Sequence, residues 1–152
     1  MIVLFTDFGL HGPYAGQMRA VLHQMVTSTS IIDLFADAPV GNPKHRPTCW
    51  RSMLHGFLRV PSFFASSIPA SAERAIVEAE SRWYVRPGNG LFELVQCRAG
   101  EIHSWSIDWK PEDLSSSFHG RDLFAPVVAM LARGEPPPGR PCQEPDDNWK
   151  ME

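Results

Sequence analysis

The chain has only three cysteines, Cys49, Cys97 and Cys142, an odd number with no CxxC spacing. That count argues against a disulfide scaffold and against a zinc site, and a reducing cytoplasm fits. Positive charge is also short: 14 Lys and Arg stand against 17 Asp and Glu, a net charge of −3. That balance carries no electrostatic footprint for DNA or RNA. No apolar run is long enough to span a bilayer. Met1-Ile2-Val3-Leu4-Phe5 has no basic stretch ahead of it, so it reads as a strand and not as a signal peptide. The six histidines show no metal-ligand spacing, and neither GxGxxG nor a P-loop is present. There are no internal repeats. What remains, at 152 residues, fits one compact domain.

Proline, by contrast, is plentiful, with 14 residues, and its placement punctuates the chain. Ile2 to Phe5 is the kind of short apolar run found in buried strands. From Tyr14 the period becomes helical, with Met18, Val21, Leu22, Met25 and Val26 on one face. Ile31 to Phe35 then reads as a second strand and Asp37 to Lys44 as a polar loop. Strand, helix, strand in this compass is a βαβ unit and predicts a parallel sheet covered by helices. Ala75-Ile76-Val77 and Trp83-Tyr84-Val85 predict two strands around a polar turn, with Trp83 and Tyr84 as core. Pro87-Gly88-Asn89-Gly90 has turn chemistry, and Ile102 to Ile107 alternates like another strand. Arg121 to Arg133 is the second helix, with Leu123, Phe124, Val127, Val128 and Leu131 on its apolar face and Gly134 to close it. Pro136-Pro137-Pro138-Gly139-Arg140-Pro141 has the composition of a linker, and a short polar tail follows.

Residues 45 to about 72 obey neither period. A structureless loop of that length inside a compact domain is rare.

Several segments together resemble one family, the S-adenosylmethionine (SAM) hydroxide adenosyltransferases or adenosine-forming SAM hydrolases, relatives of the SAM-dependent fluorinase and chlorinase. They are Ile2-Val3-Leu4-Phe5-Thr6-Asp7-Phe8-Gly9, Tyr14-Ala15-Gly16-Gln17-Met18, Ile32-Asp33-Leu34, Pro87-Gly88-Asn89-Gly90-Leu91, and Phe118-His119-Gly120-Arg121-Asp122-Leu123-Phe124-Ala125-Pro126. Their order and spacing carry the resemblance, over roughly the first 44 residues and those from 73 to 134. It implies an α/β fold with a largely parallel sheet flanked by helices at 1–134, then the Pro-rich linker and a truncated tail at 135–152. The C-terminal β-barrel domain of the family is missing from this reading.

The family has, inside the irregular stretch, a helix like "KASAYLLA" and then a segment like "WFPPGTVFLCVVDPGVG". Neither is present, yet both can be written from this chain in another frame, taking the third base of each codon with the first two of the next. Lys44 to Arg51 then permits Lys, Thr/Ala, Ser/Pro, Ala, Tyr, Leu, Leu, Ala. Phe64-Ala65-Ser66-Ser67-Ile68-Pro69-Ala70-Ser71-Ala72 permits Cys-Val-Val-Asp-Pro-Gly-Val-Gly-Gly. Each shifted codon allows only a handful of residues, so a long consecutive match is hard to obtain by chance. Residues 45 to about 72 are therefore read as out of frame, with the frame restored near Glu73-Arg74. On that reading one helix and one central strand are lost, and the broken sheet should aggregate.

The resemblance also implies site residues. Asp7, after a buried strand, would grip both ribose hydroxyls of SAM. Its residue-level alternative is a turn or N-cap carboxylate ahead of the first helix. Phe8 and Gly9 would shape the same pocket, Gly9 by letting backbone approach closely; Phe8 reads equally as core. His119 and Arg74 match the His and Arg of a catalytic Asp-Arg-His set around the attacking water. A histidine at a helix start and a solvated surface arginine are the plainer readings. Asn89 matches the Asn of the family's "PDNG" turn, from which Arg86 and Gly88 depart, and an Asn-Gly turn is common in its own right. Arg121 and Asp122 read as first-turn groups or a surface pair, and Asp33 and Asp37 as strand-end and loop residues. The Asp of the set is absent: its codon would straddle Ser67 and Ile68.

By this resemblance the activity would be hydrolysis of SAM to adenosine and L-methionine, with SAM as substrate, no cofactor and no metal, in a homotrimer. The incomplete catalytic set predicts impairment. The alternatives are an inactive truncated remnant or a weak adenosine- or SAM-binding α/β domain without catalysis, with a SAM-dependent halogenase third.

Overall fold

A computed structural model of the chain describes residues 1–6, 8–37, 63–67, 74–87 and 100–142. Strand β1 (Ile2–Thr6) is buried along its whole length. It leads into helix α1 (Tyr14–Met25), whose Met18 and Leu22 are buried, and then into β2 (Ile31–Phe35). After β3 (Phe63–Ser67) come β4 (Arg74–Ala79) and β5 (Arg82–Pro87), a hairpin whose turn residues Glu80 and Ser81 both have positive φ. Strand β6 (Ile102–Ile107) precedes a π-helical turn (Gly120–Phe124) that runs directly into α2 (Ala125–Ala132). The second helix therefore starts one residue earlier than its apolar pattern predicts, and its first turn is wider than an α-helix. Gly134 follows its end, donating its N–H to the Leu131 carbonyl at 2.9 Å.

One seven-stranded sheet has the order β2-β1-β3-β5-β4-β6-β7. Its pairings from β2 to β5 are parallel and those from β5 to β7 antiparallel. The seventh strand, β7 (Gly139–Cys142), corrects the sequence reading of that segment as linker throughout. It pairs with β6 at the rim of the sheet. Pro141 is tolerated there because an edge strand needs fewer ladder donors.

The larger correction concerns β3. The sequence reading removed a central strand, but Phe63–Ser67 lies between β1 and β5 and is paired in parallel with both. A ladder made by two neighbouring strands satisfies backbone N–H and C=O groups whatever the side chains are. Phe63 and Phe64 also have high strand preference. The sheet therefore has no gap at this position.

The helices pack on one face. Ile2 and Leu4 of β1, Ile76 of β4, Val85 of β5 and Ile107 of β6 meet Met18, Leu22, Leu123, Val127, Val128 and Leu131 in the main core. Val3, Phe5, Val77, Ala79 and Tyr84 form a second buried cluster on the opposite face. The alternation of Ile2 and Leu4 with Val3 and Phe5 follows from the period of two along a strand. Trp83, partly buried, packs against the main core and against Trp105 with ring centroids 5.4 Å apart, and Tyr84 is buried in the second cluster, so the strand's two aromatics face the two cores as their sequence context suggests.

Candidate active site

The strand order sets where a ligand can enter. From β1 the chain passes to one side for β2 and returns on the other side for β3. In open α/β sheets, ligands bind beyond the carboxyl ends of the strands at such a reversal. Thr6 ends β1 and is in register with Ser67, which ends β3. Arg74 opens β4 and is in register with Pro87, which ends β5. Because β4 runs antiparallel, its first residue reaches the same edge as the last residues of the parallel strands.

Asp7 and Asn89, two of the expected substrate contacts, lie outside the described residues. The residues on either side of Asp7 are well tied. Thr6 donates its hydroxyl to the Phe35 carbonyl at 3.3 Å. Gly9 donates its N–H to the Ala36 carbonyl at 2.7 Å, with φ +82°, a left-handed conformation that glycine adopts without strain. The loop after β1 is thus held to the loop after β2.

Arg74 and His119 are brought together from positions 45 residues apart: Arg74 Nη2 lies 3.3 Å from His119 Nε2. A guanidinium can only donate, so Nε2 is the acceptor and the ring proton of a neutral His119 sits on Nδ1. Burial pushes the His119 pKa below the usual 6.5, and the Arg74 charge pushes it the same way, while Asp122 opposes both. A neutral imidazole beside a fixed positive charge can order a water and stabilise hydroxide character on it.

The sign of the pH effect follows. His119 binds its proton less readily in the folded chain than in the unfolded one. Its contribution to stability is therefore complete above the unfolded pKa and falls away as the pH drops through it towards the folded value. An NMR titration of the His119 ring should give a midpoint below 6.5. A midpoint above that value would contradict the contact with Arg74.

Asp122 and Arg121 are more than the surface pair their sequence suggests. Arg121 grips the Asp122 carboxylate through Nε at 2.5 Å and Nη2 at 2.9 Å, and the Ser115 N–H donates to it at 3.2 Å. The arginine first, and the Ser115 N–H with it, hold the Asp122 carboxyl below the usual carboxylate range. Arg121 also reaches Gln17 of α1 at 3.4 Å and lies 4.7 Å above the Phe118 ring. The pair stitches the π-turn to α1 and to the loop before it.

An aromatic stack completes the neighbourhood, and sequence reasoning gave it no role. Phe8 lies 5.7 Å from Tyr14, centroid to centroid, and Tyr14 stacks on Phe118 at 5.2 Å. Phe8 packs against the main core, and its ring lies against Gly120. Tyr14 and Phe118 each lie within a matching segment, but nothing in their spacing places them beside Phe8. Among the described residues no cluster of His, Cys, Asp and Glu could hold a metal ion. No described helix is long and apolar enough to cross a membrane.

Residues 2–139 match the SAM hydroxide adenosyltransferase N-terminal domain. The chain belongs to this family. It is 30% identical over 152 aligned positions to the (R)-S-adenosyl-L-methionine hydrolase of Thermus thermophilus, covering 91% of this chain and 59% of that protein. It is 32% identical to the protein of the same name from Salinispora tropica, over 86% of this chain and 52% of that one. The structure of an uncharacterized conserved protein from Thermotoga maritima superposes with a TM-score of 0.80 at 26% identity, covering 95% of this chain and 59% of its own. The chain thus spans between half and three fifths of the length of these relatives. The fold and family expected from the sequence are both established by these matches.

Proposed function

We propose that the chain carries the water-activating side of a SAM hydrolase site, and that its catalytic set is incomplete as written. The contact between Arg74 and His119, at the edge where β1 and β3 end, supports this reading. In the reaction, a water oxygen bonds to C5′ of the ribose while the C5′–S bond breaks. The bonding pair passes to the sulfonium, which leaves as neutral methionine thioether and needs no acid. The difficulty lies in the nucleophile, whose proton must be taken up by His119 or passed to solvent. For His119 to act as the base, its Nε2 exchanges the Arg74 N–H, 3.3 Å away, for the water, and Arg74 then holds the water and its developing charge. Asp7, Phe8, Gly9 and Asn89 form the ribose side of the pocket.

The third member of the set is a carboxylate, and the sequence offers Ser67-Ile68 where the shifted frame would write Asp. This is the observation that favours the second reading, a domain that binds an adenosine-like ligand without turnover. Residues 45 to about 72 are, in our reading, translated out of frame.

Incubation of the purified chain with SAM, followed by mass-spectrometric detection of adenosine and methionine, tests the proposal. The expected result is measurable SAM binding with release no faster than in buffer. Release that disappears in a His119→Ala chain would overturn the impairment, and absence of SAM binding would overturn the substrate assignment.

A further inference from the structure

Gly120 and Phe8 meet so closely that a side chain at position 120 would force the Phe8 ring or the turn to shift. A Cβ built on Gly120 would lie 2.7 Å from Phe8 Cζ, a distance that real contacts do not show. The phenyl ring has little room to retreat, since it packs on the main core on one side and on Tyr14 on another. Tyr14 in turn stacks on Phe118, and Arg121 lies over that ring. The chain from Phe118 to Arg121 is therefore held through Phe118 and Gly120 against two aromatics, Phe8 from the β1–α1 connection and Tyr14 from the first turn of α1. His119 lies between those two points of attachment, at the start of a π-turn. Such turns are intrinsically unfavourable and persist where the surroundings hold them.

We propose that Phe8 and Gly120 are positioning residues: the ring of Phe8, seated on the bare backbone of Gly120, sets the π-turn so that His119 reaches Arg74. The proposal rests on the assignment of His119 and Arg74 as the water-activating pair. It extends that assignment by linking the loop that follows β1 to the base. Phe8 then has a role distinct from lining a pocket. Neither residue touches the reacting atoms on this account; both act through His119.

The test reads His119 itself and does not need turnover. The charged and titratable groups facing the imidazole are Arg74 from β4 and Asp122 from its own turn, with Arg121 neutralising part of Asp122. Three variants of the whole chain are compared by NMR titration of the His119 ring and by thermal melting. Gly120→Ala displaces the turn, so the His119 midpoint should rise towards the free value, as burial and the Arg74 charge are lost. Phe8→Ala removes the seat without a clash and should give the same direction of shift. Gly120→Ala combined with Phe8→Leu exchanges volume across the contact and should return the midpoint towards that of the unmodified chain.

A merely structural contact would lower the melting temperature and leave the midpoint where it was. A midpoint unmoved in folded Gly120→Ala overturns the proposal. If Gly120→Ala does not fold, an unmoved midpoint in Phe8→Ala overturns it equally. Failure of the double variant, when folded, to restore the midpoint also overturns it. SAM cleavage is assayed separately, so a chain in which His119 shifts as expected but SAM is not bound would refute the substrate assignment and leave the positioning intact.

Discussion

A Ser67→Asp chain is expected to cleave SAM at least about 10²-fold faster than the unmodified chain, the lower end of what a positioned acid–base group contributes. The argument is one of register. Ser67 is the last residue of β3, paired with Thr6 at the end of β1, and Asp7 follows Thr6 in the chain. Arg74 starts β4 at the same edge of the sheet and touches His119. A carboxylate added at this end of β3 would lie at the same edge of the sheet as the start of β4, which carries Arg74. It would turn a site that disfavours a proton on His119 into one that tolerates it. The shifted Asp codon straddles Ser67 and Ile68, seven codons before Arg74, and position 67 is the first of the two. The His119 titration midpoint should rise in the same variant, because an added negative charge favours the imidazolium. Adding His119→Ala should return cleavage to background. A folded Ser67→Asp chain with neither a faster reaction nor a raised His119 midpoint would mean that position 67 does not face this pair.

The sequence spoke clearly wherever one element's own periodicity decided the outcome. Met18 and Leu22 recur at helical spacing and are buried on α1. Ile2 to Phe5 reads as a strand buried on both faces, and its side chains divide between the two cores. Partnership across the chain was harder to read. Nothing in Phe63-Phe64-Ala65-Ser66-Ser67 taken alone announces a central strand, because its pairing is supplied by β1 and β5. Gly139 to Cys142 looked like a linker for the same reason, since only β6 makes it a strand. At the site, the family motifs singled out His119 and Arg74 separately, and the fold put them in contact. The stack of Phe8, Tyr14 and Phe118 was hidden because each aromatic sits in a different segment and each alone is an ordinary apolar residue. The closeness of Gly120 to Phe8 is a property of tertiary packing, which one-dimensional spacing does not encode.

The strongest stability effect should come from the same strand. Strand β3 runs between two buried neighbours, and strands in that position are usually continuous apolar runs rich in branched residues. Here it carries Ala65 and Ser66. Ala65 is in register with Leu4 on one side and Val85 on the other, both fully buried in the main core. Ser66 is in register with Phe5, a member of the opposite buried cluster. The shifted frame writes Val at both positions. An Ala65→Val, Ser66→Val chain should therefore gain about 2–3 kcal/mol, at about 0.8 kcal/mol for each added buried methylene-sized group and with better strand preference. For a chain of this size that corresponds to a melting temperature higher by about 5–10 °C. Calorimetry of the purified variant decides the matter. Native interiors resist added volume, and overpacking costs about 1–3 kcal/mol. If the two valines lower the melting temperature, the core has closed around Ala and Ser, and this stretch is an established part of the fold. If they raise it, the space for the larger residues is still there. That is the expected mark of a strand whose frame was lost after the surrounding core had been shaped to hold it.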